Sequence, residues 1–132
     1  METTQYLDDA VALLRLLIAT PSVSRDEARA ADIMEDAMRG YGLSPRREAN
    51  NVWAIAPGYD TEKPTLLLNA HIDTVKPVSS WTRNPFSPDI EDGRLYGLGS
   101  NDCGGGLVAL LQAFRHLSAG EQRYNTVYLA SA

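Results

Sequence analysis

The feature that most constrains the fold of this chain is an apolar, strand-like run that ends in a histidine and an aspartate. The run Thr65–Ala70 leads directly into His71, and Asp73 follows two positions later. α/β folds bind ligands beyond the carboxyl ends of their strands, and residues two apart on an extended chain point the same way. His71 and Asp73 are therefore expected to share one pocket, with the carboxylate steering the imidazole.

Helical and strand-like segments alternate along the chain. Three segments carry apolar residues at spacings of three and four, the pattern of amphipathic helices, and apolar strand runs stand between them. This alternation predicts an α/β fold with a mixed, twisted sheet and helices packed on its faces. The predicted helices are Gln5–Ala19, Ser24–Gly40 and Leu107–Leu117, and the predicted strands are Ser44–Ala49, Val52–Ala56, Thr65–Ala70 and Thr126–Ala130, with a short hairpin within Ile90–Tyr96.

Two local patterns predict element boundaries. Ser24 and Glu27 are spaced as in a capping box, so their side chains are expected to satisfy the first amides of the second helix. Asn50-Asn51 is expected to form the tight turn of the first hairpin, because asparagine tolerates left-handed backbone conformations.

Composition narrows the classes of protein. The 132 residues suffice for one domain, and 44% hydrophobic with 22% charged residues is typical of a soluble globular protein. A net charge of −5 without a basic run argues against a nucleic-acid partner. The single cysteine excludes an intrachain disulfide and fits a reducing compartment. No signal peptide or membrane span is apparent, so a cytoplasmic location without a membrane partner is expected.

Asp102 is the second candidate site. It lies in the glycine-rich segment 97–106, which opens the third helix. Glycines let a ligand approach the backbone closely, and a carboxylate on such a platform suits a divalent cation. A helix cap is the alternative. Phosphate binding is disfavoured, because the segment lacks lysine and arginine and does not match the phosphate-loop or dinucleotide patterns.

The remaining candidates are weaker. Cys103 is expected to be a small buried residue, since no histidine is suitably placed as its base. His116 lies near the C-terminal end of the third helix and is expected at the surface. Trp81 is expected to pack rather than to stack on a ligand. No serine has the setting of a nucleophile elbow.

Taken together, these segments resemble the M20 metallopeptidase family. The resemblance rests on Leu67–Pro77, Trp81–Phe86 and Asp92–Asp102 and runs in order along essentially the whole chain. The sequences of Thr74–Pro77 and Gly99–Asp102 are most similar to those of acetylornithine deacetylase-like members. The resemblance implies a zinc exopeptidase (phosphorylase/hydrolase-like) fold.

The resemblance also implies site roles and a reaction. The intact enzyme would bind two Zn²⁺ ions per site, with Co²⁺ as an alternative. His71 would bind one metal, Asp102 would bridge both, and Asp73 would be the catalytic carboxylate that orients His71. The Asp102–Cys103 peptide bond is expected to be cis. The reaction would be hydrolysis of a small-molecule N-acyl amino acid, and a homodimer would be compatible with the family.

The chain departs from the family pattern in ways that bear on function. Leu98 and Gly104 stand where arginine and lysine are common, which leaves the substrate less defined. In the family, the strand matching Thr126–Ala130 is followed by a Glu-Glu pair that supplies a general base and a metal ligand, whereas this sequence stops at Ala132. Residues 1–132 are therefore expected to be the N-terminal portion of a catalytic domain, inactive alone, without the remainder of that domain or the lid or dimerisation domain.

Two alternatives remain open. The chain could be a non-catalytic α/β fragment or assembly module. It could also belong to a dipeptidase, carboxypeptidase or desuccinylase of the same family, because substrate specificity is expected to lie mainly outside these residues.

Overall fold

A computed structural model describes all 132 residues as an α/β fold with two sheets. The π-helical segment Ser100–Gly105, called the π turn below, leads directly into the third helix. The helices are α1 Thr3–Ile18, α2 Ala28–Gly40 and α3 Gly106–Ser118, and the strands are β1 Arg46–Glu48, β2 Asn51–Ile55, β3 Thr65–His71, β4 Ile90–Glu91, β5 Arg94–Leu95 and β6 Asn125–Ser131.

The larger sheet has the strand order β1-β2-β6-β3. β3 pairs in parallel with β6, whereas β2 pairs antiparallel with both β6 and β1. The mixed sheet predicted from the sequence is therefore confirmed. β4 and β5 form a separate two-stranded hairpin around Asp92-Gly93, as the sequence predicts.

The hydrophobic core lies between one face of the large sheet and the three helices. Along β2 and most of β6, alternate residues are buried, as expected where one sheet face is packed, whereas β3 buries only Ala70. The strand residues in the core are Val52, Ala54, Ala70, Tyr128 and Ala130, and they meet Leu13, Ile18, Met34, Met38, Leu111 and Phe114 of the helices. On the opposite face Leu67 remains 54% exposed and Ile55 39% exposed, so in this chain the helices cover one face only.

The second helix begins later than the capping pattern predicts. Glu27 precedes the first helical residue, Ala28, and no side chain caps the helix. Arg25 has a φ of 73°, a left-handed conformation that a helix cannot continue through. Val23 forms a parallel bridge with Thr74, and the Ser24 hydroxyl bonds to Asp73. A contact far along the chain thus replaces the predicted local cap.

The first hairpin also turns one residue earlier than predicted. Glu48 pairs with Asn51, so the turn consists of Ala49 and Asn50. Ala49 takes the left-handed conformation, with a φ of 53°. Arg47 holds this turn by donating to the Ala49 carbonyl at 2.8 Å and to the Asn50 side chain at 3.2 Å.

None of the helices is both long and apolar enough to cross a lipid bilayer.

Tyr128 gives the core a dependence on alkaline pH. Its side chain is fully buried, and its hydroxyl donates to the Leu107 carbonyl at 2.7 Å. Burial raises the pKa of Tyr128 well above its usual range. The folded-state pKa of Tyr128 exceeds the unfolded value of about 10. The contribution of the buried, neutral phenol to the free energy of unfolding is therefore fully present below about pH 10, and it is lost as the pH rises toward the folded-state pKa.

We predict that Tyr128→Phe lowers the free energy of unfolding by about 1 kcal/mol at neutral pH. Above about pH 10 the difference should shrink, because the variant has no buried phenol to ionise. Urea unfolding between pH 7 and 11 measures both effects. Tyr59→Phe, at a tyrosine that is 62% exposed, is the matched control. Equal pH dependence in both variants would contradict the assignment.

Candidate metal centre

The structure brings His71 and Asp102 into direct contact. His71 is the last residue of β3, and Asp102 lies in the π turn that precedes α3. The imidazole Nε2 of His71 lies 3.0 Å from Oδ1 of Asp102. The site therefore forms where the carboxyl end of a parallel strand meets the start of a helix, as expected for α/β folds.

Asp73 contacts the other nitrogen of the His71 ring. Nδ1 lies 2.8 Å from the Asp73 backbone carbonyl oxygen and 3.4 Å from its Oδ1. A carbonyl oxygen only accepts hydrogen bonds, so Nδ1 must carry the proton and donate it. The backbone carbonyl is the closer partner, and the carboxylate supports it from a longer distance. This arrangement directs Nε2 toward Asp102.

The charges around His71 favour its protonated form. Partial burial lowers the pKa of His71, but the hydrogen bonds to Asp102 and to the Asp73 backbone, together with both carboxylate charges, raise it more. The net pKa is above the usual value. Because Nδ1 donates to a carbonyl, Nε2 can donate to Asp102 only when the imidazole carries a second proton, and metal ligation requires that Nε2 lose it.

Glycines allow the π turn to fold tightly behind Asp102. The Gly104 amide donates to the Gly99 carbonyl at 2.8 Å, and Gly99 adopts a left-handed conformation with a φ of 80°. The Asp102–Cys103 peptide bond is cis, as the family resemblance implies. Cys103 packs against the core but is only half-buried, rather than buried as predicted.

A cleft of about 340 Å³ opens over the His71–Asp102 pair. Its wall includes Asp73, Thr74, Trp81 and the backbone from Gly97 to Asp102. Trp81, expected to pack, lines this cleft and is 36% exposed. Sequence reasoning missed it because the surrounding loop has no periodicity that would assign a side chain to a face. His116 is exposed, as predicted, and its Nδ1 lies 3.3 Å from the Tyr6 hydroxyl.

The donor set fits part of a zinc site. An imidazole nitrogen and a carboxylate oxygen are both ligands that Zn²⁺ accepts. Their 3.0 Å separation is close to the roughly 3.3 Å between two ligands of one tetrahedral ion at bond lengths of about 2.0 Å. The chain contains no group of three or more His, Cys, Asp or Glu side chains arranged to hold a metal. Structural and catalytic zinc sites use three or four protein ligands, so this pair is an incomplete set.

Comparison with known proteins assigns the family. The sequence pattern of "Peptidase family M20/M25/M40" matches residues 67–131. A succinyl-diaminopimelate desuccinylase from Blochmanniella floridana is 34% identical over 114 residues, covering 81% of this chain and 30% of the relative. A protein of the same name from Caulobacter sp. (strain K31) is 35% identical over 116 residues, covering 83% and 29%.

Solved structures agree with this assignment. The M20 family metallo-carboxypeptidase Sso-CP2 from Sulfolobus solfataricus matches with a TM-score of 0.75 and 26% identity, over 99% of this chain and 31% of that protein. A dinuclear metal binding peptidase of the M20 family from Bacillus subtilis has the same fold over 98% of this chain and 36% of that protein, with a TM-score of 0.69 and 15% identity. This chain belongs to the peptidase family M20/M25/M40.

The comparisons refine the functional predictions. Family membership and the α/β fold predicted from the resemblance are confirmed. The acetylornithine deacetylase-like interpretation is less well supported than the desuccinylase alternative, because the similar curated relatives are named as desuccinylases. The chain spans about 30% of the length of those relatives.

We predict opposite effects for alanine at two glycines beside Asp102. A Cβ at Gly104 would lie 2.5 Å from the Gly99 carbonyl oxygen and 2.6 Å from Leu14 Cδ1, so Gly104→Ala should destabilise the fold by about 1–3 kcal/mol. At Gly106 the Cβ would meet only Cys103 Sγ, at 3.6 Å. Because Gly106 is helical, Gly106→Ala should stabilise by about 0.5–1 kcal/mol.

Urea unfolding of the two variants beside the parent chain measures these effects. The pair is matched, because the same methyl group is added two positions apart. Equal destabilisation of both variants would show that the close approach of Gly104 to Gly99 does not limit the π turn.

Proposed function

We propose that this chain supplies a metal-binding His71–Asp102 pair to a zinc-dependent hydrolase that cleaves the amide bond of an N-succinylated amino acid. The 3.0 Å contact between Nε2 and Oδ1 carries the proposal, because it joins two suitable donors at a strand end beside an open cleft. The desuccinylase relatives support the choice of acyl group. Residues 1–132 are then the N-terminal portion of the catalytic domain, a proposal supported by their 30% share of such a relative.

Each residue of the site has a distinct part in this proposal. His71 would hold metal through Nε2, and Asp102 would hold it through its carboxylate as the ligand common to both ions. The Asp73 carbonyl keeps one imidazole proton on Nδ1, so Nε2 is the nitrogen that neutral His71 presents to metal. When bound, the zinc ions supply Lewis acidity toward the amide carbonyl and lower the pKa of water.

The lining of the cleft determines which parts of a substrate can lie beside His71 and Asp102. Trp81 and Val75 contribute apolar lining to the cleft, and residues Gly97 to Asp102 line another part of it. Asp73 and Asp102 make the end beside His71 acidic. Such an end favours cations, so anionic parts of a substrate are expected to extend away from it until metal neutralises the charge.

A carboxypeptidase is the second candidate. It is favoured by the solved structure that covers 99% of this chain at 26% identity, which is a metallo-carboxypeptidase. Both reactions hydrolyse an amide and use the same proposed half-site. They differ in which group lies on the acyl side of the scissile bond.

We predict that residues 1–132 bind Zn²⁺ weakly at His71 and Asp102. Two donors provide fewer than the three or four ligands of a stable zinc site, so saturation requires high metal concentrations. His71→Ala and Asp102→Asn should each reduce the affinity by about tenfold or more. Competition with a chromophoric chelator measures it. His116→Ala, which removes the chain's other histidine, should leave the affinity unchanged, and a loss there instead would contradict the assignment.

We predict catalytic dependence on His71 in chimeras. One chimera joins residues 1–132 to the part of the Caulobacter relative beyond its matched segment, and a second uses the Sulfolobus carboxypeptidase. The first should hydrolyse N-succinyl-diaminopimelate, and His71→Ala should lower its kcat by about a hundredfold or more, because a metal ligand is lost.

The controls separate the two candidate reactions. Residues 1–132 alone with Zn²⁺ should give no turnover, which sets the baseline. Activity confined to the carboxypeptidase chimera, on peptides, would favour the second candidate. Full activity of a chimera carrying His71→Ala would contradict the proposed half-site in either enzyme.

A further inference from the structure

Ser24 lies outside the motifs that define the metal centre, yet it contacts that centre. Its hydroxyl donates a hydrogen bond to Oδ2 of Asp73 at 2.6 Å, across 49 positions of sequence. The predicted role of this serine was to cap α2, but that helix begins at Ala28 without a side-chain cap. The Ser24 hydroxyl therefore hydrogen-bonds to Asp73 and does not cap α2.

The backbone holds Ser24 in place beside Asp73. The Thr74 amide donates to the Ser22 carbonyl at 2.8 Å, and the Ser24 amide donates to the Thr74 carbonyl at 3.2 Å. These bonds form the parallel bridge between Val23 and Thr74. The segment between α1 and α2 is thus fastened to the loop that follows β3, and the hydroxyl reaches the carboxylate from a fixed position.

The two oxygens of Asp73 have separate partners. Oδ2 accepts from Ser24 at 2.6 Å, whereas Oδ1 lies 3.4 Å from Nδ1 of His71. The carboxylate is planar, so fixing one oxygen restricts the rotation that would move the other away from the imidazole. Ser24 and His71 are the two side chains that contact this carboxylate, so His71 alone would remain if Ser24 were removed.

We propose that Ser24 is a positioning residue that orients the Asp73 carboxylate and, through it, the ring of His71. This inference rests on the proposed function, in which His71 Nε2 binds metal. The order of contacts is Ser24 hydroxyl, Asp73 carboxylate, His71 imidazole and Asp102 carboxylate. Removing a residue that orients a metal ligand, without itself binding the metal, typically lowers metal affinity by about 10–100-fold.

Three variants isolate the hydroxyl. Ser24→Ala removes it, and Ser24→Thr retains a hydroxyl on the same carbon. Ser22→Ala is the control for a serine lost from the same segment, because the buried Ser22 side chain makes no hydrogen bond to Asp73. Ser24 is exposed, so its loss leaves no cavity, and thermal unfolding of all three variants verifies that the fold persists.

The first measurement is the Zn²⁺ affinity of the full chain by chelator competition. Ser24→Ala should bind about tenfold more weakly than the parent, while Ser24→Thr and Ser22→Ala should stay within about threefold of it. A uniform loss in all three variants would indicate a structural effect of the segment and overturn the proposal. Unchanged affinity in Ser24→Ala would also overturn it.

The second measurement needs no metal. In ¹⁵N-histidine-labelled chain, the Nδ1-bound proton of His71 bonds to the Asp73 carbonyl and lies beside the Asp73 carboxylate, 3.4 Å from Nδ1. If Ser24 holds that carboxylate in place, the proton should exchange with water several-fold faster in Ser24→Ala than in Ser24→Thr or Ser22→Ala. If the parent shows no His71-dependent zinc binding, the proposed function fails, and this exchange rate still tests Ser24. Equal exchange rates in all variants would refute its positioning role.

Discussion

The parallel pairing of β3 with β6 is the constraint on which the rest of the structure depends. Seven residue pairs, from Thr65↔Asn125 to His71↔Ser131, join the two strands in one register, and the Ile72 amide extends it by donating to the Ser131 carbonyl at 2.7 Å. A slip of one residue would turn every buried side chain of β3 to the other face. Packing of Ala70 against the helices therefore also fixes where His71 ends the strand.

The core connects this sheet to the segment that carries Asp102. Tyr128, in the centre of β6, is buried against Phe114 and donates its hydroxyl to the Leu107 carbonyl, next to the start of α3. The π turn precedes that point, and the close approach of Gly104 to Gly99 holds it compact. The distance between His71 and Asp102 thus follows from packing beneath the site. For this reason, the side chains of His71 and Asp102, which lie 31 positions apart in the sequence, are in direct contact.

The sequence predicts those parts of the structure that depend on local periodicity. The stripe of α3, the strand β3 and the mixed sheet follow from spacing and composition, and the family resemblance identified His71, Asp73 and Asp102 as one site. The apolar run of β3 also predicted a buried strand, which is wrong for this chain, because only Ala70 of β3 is buried. The predicted cap at Ser24 failed because a capping pattern describes only neighbouring residues. The bond to Asp73 spans 49 positions and becomes visible only when β3 and the segment after α1 are placed together. Trp81 was missed for a similar reason, since its loop has no period that assigns it to the cleft.

The geometry separates orientation from affinity in the proposed metal site. The Asp73 carbonyl requires a proton on Nδ1, and Nε2 on the other side of the same ring faces Asp102. Burial lowers the pKa of His71, but the contacts with Asp102 and Asp73 raise it above the usual value, which favours a second proton on Nε2 that can bond to the Asp102 carboxylate. A cation must displace that proton and still finds only two donors, fewer than zinc normally requires. In the proposed enzyme, His71 and Asp102 would therefore orient two of the ligands, and most of the metal affinity would have to come from further donors.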